Sequence, residues 1–220
     1  LLSMNENQRK LYDAYLENVR NQFSQQKDRI TILAEIMRLR EICVDQGMLY
    51  EGEELSSKIL SAMETIRASI QTGHKVIVFS TFAKALFHLR DVLSKENIDS
   101  FLIYGRTGAK DRIRFADDFN EKEEVKVMLV SLKAGGTGLN LIGGDIVILL
   151  DPWWNLAAEN QASDRAHRIG QKRNVTILKL INKDSIEERV LQLQEKKRKL
   201  SDVIHDDEEG ILNIDMDDLT

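Results

Sequence analysis

Hydrophobic spacing changes once along the chain, near Gly73. Before it, apolar residues recur at three- and four-residue steps: Leu11, Tyr12, Tyr15, Leu16, Val19 and Phe23, then Ile32, Leu33, Ile36, Met37, Leu39 and Ile42, then Leu60, Met63, Ile66 and Ile70. That is the period of helices that bury one face. Ser3 and Glu6 have the S-x-x-E spacing of a capping box for the first helix. A loop near residues 47–54 ends the second, the third starts after Ser56 or Ser57, and Gly73 is its C-terminal stop.

After Gly73 the texture is that of short, continuous, β-branched runs. Lys75-Val76-Ile77-Val78-Phe79-Ser80 is the first, and similar runs follow at 101–104, 125–131, 146–151 and 175–181. Runs of this kind are buried on both faces of a parallel sheet. Helical patterns lie between most of them, at 83–95, 110–120 and 155–169, and a charged helix at 185–200 closes the series. Alternating strands and helices imply crossover units and an α/β fold, an open parallel sheet with helices on both faces. Ligands in such sheets sit at the carboxyl ends of the strands, here the loops 80–82, 105–107, 131–141 and 151–155.

Composition narrows the class. At 220 residues, with roughly 150 per domain as the prior, the chain holds one compact domain and an appendage. With 42% hydrophobic and 30% charged residues and no apolar run near the roughly 20 residues of a bilayer crossing, a soluble globular chain is expected. Leu1-Leu2-Ser3-Met4-Asn5 has no basic or apolar region of a signal peptide, and the missing initiator Met points to a fragment. The single cysteine, Cys43, cannot form an internal disulfide, which fits a reducing compartment, and core packing is its expected role.

The net charge of -5 argues against a nucleic-acid partner until it is divided. Residues 205–220 hold seven acids and no Lys or Arg, leaving 31 basic against 29 acidic residues in 1–204. The acidity belongs to a tail, either solvated and disordered or making a regulatory contact.

Two segments carry candidate chemistry. Ala134-Gly135-Gly136-Thr137-Gly138-Leu139-Asn140 follows a strand, but a G-x-G-x-x-G fingerprint from Gly136 would need glycine at Leu141. No P-loop occurs either, so the glycines make a phosphate contact or a tight turn. In Gln161-Ala162-Ser163-Asp164-Arg165-Ala166-His167-Arg168-Ile169-Gly170-Gln171, Arg165 and Arg168 are three apart on one face of an expected helix. Paired guanidinium groups suit a polyanion such as a transferring phosphoryl group; the alternative is a basic helix end favoured by the dipole. His74, His88 and His205 have no metal-ligand spacing, and no metal site is expected in this chain. Trp153 and Trp154 at a strand end can roof the core, and 195–199 reads as a solvated helix face.

The run 161–171 resembles motif VI of the Swi/Snf family of DNA-dependent ATPases, in helicase superfamily two, and its His-Arg-Ile-Gly-Gln ending is similar to that family in particular. Earlier segments match in order: 76–82 is similar to motif IV, 105–112 to the G-x-T-x-x-x-x-R segment after it, 131–141 to motif V, and Asp151-Pro152-Trp153-Trp154-Asn155 to the D-x-x-W-N element. Leu39-Arg40-Glu41-Ile42-Cys43 and Ile186-Glu187-Glu188-Arg189 resemble the flanking helices. The wording of these motifs looks like prokaryotic members.

The resemblance implies the second of two RecA-like lobes: a helical lead-in over 1–73, the lobe over 74–204 and an acidic tail over 205–220. Carried over, Arg165 and Arg168 match arginine fingers, and Gly136, Gly138, Asn140 and Gln161 match nucleotide-contacting positions. Ser80, Gly105, Arg106, Thr107, Ser131, Lys133, Trp154 and Asn155 match positions at the DNA backbone. ATP with Mg2+ would be bound mainly by a first lobe absent from this chain, so the chain alone is expected to be inactive. The implied partners are double-stranded DNA and that first lobe, with no membrane; the implied location is cytoplasmic in a prokaryote and nuclear in a eukaryote. Two alternatives stay open, a non-catalytic docking module of the same fold and an RNA helicase lobe. The chain departs from the family pattern at Tyr104, Leu132, Lys133, Leu156 and Ile142-Gly143-Gly144, the last replacing a small Thr-Ala-Ala-like turn.

Overall fold

The computed structural model describes residues 1–24, 29–50, 54–132, 134, 138–153, 164–166, 168, 170, 171 and 173–201, with side chains at all of these but 23, 24, 29 and 197–201. Among them the elements run α1 (Glu6–Ser24), α2 (Arg29–Val44), a short 3-10 turn (Gln46–Met48), α3 (Ser57–Gln71), β1 (Val76–Ser80), α4 (Ala83–Lys95), β2 (Ser100–Ile103), α5 (Ala109–Glu121), β3 (Val127–Ser131), β4 (Ile146–Leu149), β5 (Thr176–Lys179) and α6 (Ile186–Ser201). The chain divides into two units, one of Leu1–Lys58, Pro152–Leu156 and Ile181–Thr220, the other of Ile59–Asp151 and Ala157–Leu180.

In the first unit the apolar stripes of α1 and α2 meet. Met4, Tyr12, Val19, Ile36, Leu39, Ile42 and Cys43 form a buried cluster with Ile186 at the start of α6. Cys43 is fully buried, as its type predicts, and burial pushes its thiol well above the usual range. The cap of α1 is Asn5 and not Ser3: Asn5 Oδ1 accepts from the Gln8 amide at 2.8 Å. Ser3 follows a residue held in a parallel bridge, with Leu2 paired to Asn182, so the chain is still extended there and turns into the helix only at Asn5. Buried polar pairs cross this unit. Lys58 Nζ donates to Glu187 Oε1 at 2.5 Å, both side chains being at most 1% exposed, and Asn182 Nδ2 donates to the Cys43 carbonyl at 2.6 Å.

The second unit is built on a five-stranded sheet of order β2-β3-β1-β4-β5, every neighbouring pair parallel. The continuous apolar runs explain the centre: all of β1 and β3 is buried. The connection from β1 to β2 runs one way along the sheet and that from β2 to β3 runs back. With crossovers of the usual right hand, α4 and α5 therefore lie on opposite faces. The 175–181 run departs from the expectation of two-sided burial. All four residues of β5 are exposed, Ile177 at 44% and Leu178 at 37%, whereas β2 at the other edge buries Leu102 and Ile103.

Glycine stops α3 as expected. Gly73 takes φ +77°, its amide donates to the Ile70 carbonyl and the next amide, of His74, to that of Ser69, a Schellman ending. Asn97, at φ 57°, ends α4 in the same way. The helix expected at 155–169 lies mostly outside the described residues; 164–166 form a turn.

Candidate functional site

Three loop systems of the second unit carry the residues singled out from the sequence. The first follows β1. Asp151 accepts from Ser80 Oγ at 2.6 Å, from the Thr81 amide at 3.0 Å and from Thr81 Oγ1. Ser80 Oγ also accepts from the Phe82 amide at 3.0 Å, and the Leu132 amide donates to the Ser80 carbonyl at 2.9 Å. Ser80 and Ser131 are buried, so their side chains lie beneath the loop surface. Leu132, where the family often has Thr, is 7% exposed and packs inward.

The second follows β2 and is organised by one cation. Arg112, on the first turns of α5, donates to the carbonyls of Thr107 (2.8 Å), Gly105 (3.1 Å), Tyr104 (3.3 Å) and Ala134 (3.2 Å). Drawing these carbonyls inward leaves Gly105 and Arg106 exposed at the turn. Thr107 Oγ1 accepts from the Tyr104 amide at 3.0 Å, and the Tyr104 ring packs edge-on against Phe87, centroids 5.0 Å apart. The aromatic ring at 104 thus fills space against α4.

The third brings 138–144 against 164–171. The Leu141 amide donates to the Arg165 carbonyl at 3.1 Å, and Gln171 Nε2 donates to the carbonyls of Gly144 (2.9 Å), Ile142 (3.0 Å) and Ala166 (3.3 Å). The Arg165 carbonyl is bonded by the 138–144 loop and that of Ala166 by Gln171, and 164–166 form a turn, so within the described residues Arg165 and Arg168 are not aligned on one helix. Gly138 and Gly170 have φ +67° and +110°, and a Cβ on Gly170 would come within 3.1 Å of Ile142 Cδ1.

The two arginines differ. Arg168 is exposed and donates to the Gly138 carbonyl at 3.3 Å. Arg165 is 3% exposed, yet its Nε and Nη1 have no hydrogen-bond partner among the described residues. Burial, and then the nearby charge of Arg168, lower its pKa. An arginine stays charged regardless, so Arg165 holds a buried charge with two donors unused among the described residues. Asn140 is exposed and its carbonyl accepts from Asn120 Nδ2 at 2.9 Å. Gly136, Lys133, Trp154, Asn155 and Gln161 lie outside the described residues.

Sequence reasoning did not single out Asn120, Arg112, Asp151 or Gln171 as organisers, although the last three stand in the quoted motifs. Arg112 had a signal in its fixed distance from Gly105 and Thr107; Asn120 had none, being a polar residue near a helix end.

The loops 80–82 and 104–107 stand at the carboxyl ends of β1 and β2, whereas 164–171, with Arg165 and Arg168, is bonded to the stretch that enters β4 and leads into β5. Residues 57–170, more than half of the chain, match the family described as the helicase conserved C-terminal domain. A Mycoplasma pneumoniae protein described as an uncharacterized ATP-dependent helicase is 40% identical over 207 residues, which is 90% of this chain and 20% of that protein. Among solved structures, the Sulfolobus solfataricus SWI2/SNF2 ATPase C-terminal domain matches with a TM-score of 0.82 at 29% identity, covering 99% of this chain and 93% of that one. The Sulfolobus solfataricus SWI2/SNF2 ATPase core in complex with dsDNA matches with a TM-score of 0.80 at 31% identity, covering 92% of this chain and 44% of that one. The chain belongs to the helicase C-terminal domain family, as the C-terminal RecA-like lobe of a Swi/Snf-type ATPase. It spans about a fifth of the Mycoplasma relative.

Proposed function

We propose that this lobe supplies arginine fingers to ATP held on a first lobe, and DNA-phosphate contacts to a duplex, within an ATP-dependent double-stranded DNA translocase. The observation that carries the reading is Arg165, a buried guanidinium with two nitrogens unpartnered among the described residues, held in the same segment as the exposed Arg168. A buried guanidinium with Nε and Nη1 unpartnered among the described residues, beside an exposed one bonded to a backbone carbonyl, suits a triphosphate better than it suits a structural core. Arg168, Arg165, Gly138 and Asn140, with Gly136 and Gln161, form the nucleotide side. Mg2+ would come with ATP on the first lobe and offset phosphate charge there, so the lobe alone is inactive.

On the DNA side, the exposed Gly105 and Arg106 and the neighbouring Thr107 present amides and a cation to backbone phosphate, joined by Lys133, Trp154 and Asn155. Ser80 and Ser131 act from beneath by fixing the loops, since their side chains are buried. That a relative at 31% identity is described in complex with dsDNA supports duplex DNA as the partner. Phosphate contacts carry no base information, so binding is independent of sequence and weakens with salt. The protein works where DNA is, the cytoplasm of a prokaryote or the nucleus of a eukaryote. We assign 1–73 as lead-in, 74–204 as lobe and 205–220 as tail.

Changing Arg168 to Ala in the two-lobe polypeptide tests this. DNA-stimulated ATP turnover should fall on the order of a thousand-fold while duplex binding is retained. Normal turnover in that variant, or stimulation by RNA in preference to duplex DNA, refutes the reading.

A further inference from the structure

The segment 138–144 is held from two sides by side-chain amides, and neither amide belongs to the groups given nucleotide or DNA contacts above. On one side is Gln171, whose Nε2 bonds the Ile142, Gly144 and Ala166 carbonyls and whose Oε1 accepts from the Arg173 amide at 2.9 Å. On the other is Asn120, near the end of α5. Its Nδ2 donates to the Asn140 carbonyl at 2.9 Å and its Oδ1 accepts from the Gly143 amide at 2.8 Å. One planar amide therefore closes a ring on the backbone of the loop, using a donor and an acceptor at once.

The glycines that depart from the family's small turn explain how Asn120 comes so near. A Cβ on Gly143 would lie 2.8 Å from Asn120 Cα and 2.9 Å from the Phe119 carbonyl oxygen, and one on Gly144 would lie 2.6 Å from Ile77 Cδ1. Gly143 thus lets the end of α5 touch loop backbone directly, and Gly144 lets the loop lie on β1. What the clamp holds is the loop that meets the fingers: the Leu141 amide bonds the Arg165 carbonyl, and the Gly138 carbonyl accepts from Arg168 Nη1.

We propose that Asn120, with Gln171 opposite it, is a positioning residue for the nucleotide chemistry, setting where Arg165 and Arg168 stand by fixing the 138–144 loop. The inference rests on the arginine-finger reading above. Neither amide touches nucleotide; both act through the loop. Misplacing a catalytic group by about 1 Å can lower turnover a hundred-fold, so kcat is where the effect is read.

The test uses the two-lobe polypeptide with saturating duplex DNA, well below its melting temperature. Asn120→Ala should lower kcat about ten- to a hundred-fold, with the dissociation constant for DNA and the KM for ATP each within about three-fold of the parent. A residue that only stabilised the fold would lower the melting midpoint and leave kcat per folded molecule unchanged. Asn120→Asp, which loses the Nδ2 donor to the Asn140 carbonyl, and Gln171→Glu, each close in size to the residue replaced, serve where the alanine variant does not fold, and the same fall in kcat is expected of both. Parent-like kcat in folded Asn120 variants overturns the proposal. Arg168→Ala measured alongside separates the two readings. If it keeps full turnover, the finger assignment fails and this inference falls with it; if it is inactive while the Asn120 variants turn over normally, only the positioning role fails.

Discussion

Replacing Lys58 by methionine removes one half of an ion pair that is sealed from water. Lys58 Nζ and Glu187 Oε1 are 2.5 Å apart with side-chain exposures of 0% and 1%. The other carboxylate oxygen, Oε2, accepts from the Asn182 amide at 3.0 Å. Methionine fills the lysine stem's volume, so little of the loss is packing; what remains is a buried carboxylate without its cation, still accepting from the Asn182 amide. Breaking such a pair destabilises by about 3–5 kcal/mol, and the surviving Asn182 bond places the expected loss near the lower end, about 3 kcal/mol. The double variant Lys58→Met with Glu187→Gln removes the stranded charge and keeps an oxygen for Asn182, so it should recover to within about 1–2 kcal/mol of the parent.

The single and double variants are compared at one pH: urea titrations followed by far-UV circular dichroism at pH 8 measure both losses. A loss under about 1 kcal/mol at pH 8, or a single variant no worse than the double, refutes the claim that the pair is buried and mutually dependent.

Asp145 offers a case that depends on pH. Burial works to raise its pKa, but hydrogen bonds from His74 (2.7 Å) and Arg173 (3.2 Å) outweigh it and hold the carboxyl below the usual 3.8. Its contribution is present above 3.8 and is lost as pH falls through the lower folded value, so Asp145→Asn should cost about 2 kcal/mol at neutral pH and converge on the parent in acid titrations. Gly144→Ala should cost about 1–3 kcal/mol, because the new methyl meets Cδ1 and Cγ1 of Ile77, fully buried in β1, both at 2.6 Å; combined with Ile77→Ala, which removes both atoms, it should cost less than the sum of the two single changes in thermal melts.

How far these features were legible beforehand depends on the range over which each is set. β1, β3 and β4 could be read from their own residues, since Val-Ile-Val-Phe-Ser, Val-Met-Leu-Val-Ser and Ile-Val-Ile-Leu are apolar on both faces and are buried so. The run forming β5 looks the same locally, yet all four of its residues are exposed, because whether a strand's faces are covered depends on what packs on them, which no window of sequence contains. Ser3 satisfied a capping pattern that Asn5 fulfils, because the pairing of Leu2 with Asn182 keeps the chain extended. At the site, Arg165 and Arg168 were identifiable by type and spacing. The helix expected to align them gives way to a turn at 164–166, where the Arg165 and Ala166 carbonyls bond the Leu141 amide and the Gln171 side chain.

By itself the sequence determined the alternation of strands and helices, the order of the ATPase motifs and the family to which they belong. These depend on residue type and on periods of two to four residues, which the chain states locally. Tertiary structure decided which groups meet. It placed Lys58 beside Glu187, Arg112 under the 104–107 turn, Arg165 out of water with Nε and Nη1 unpartnered among the described residues, and Asn120 against Gly143. Each is a contact whose partner is fixed by chain crossovers and loop closure, so its chemistry exists only once distant segments are packed to within hydrogen-bonding distance.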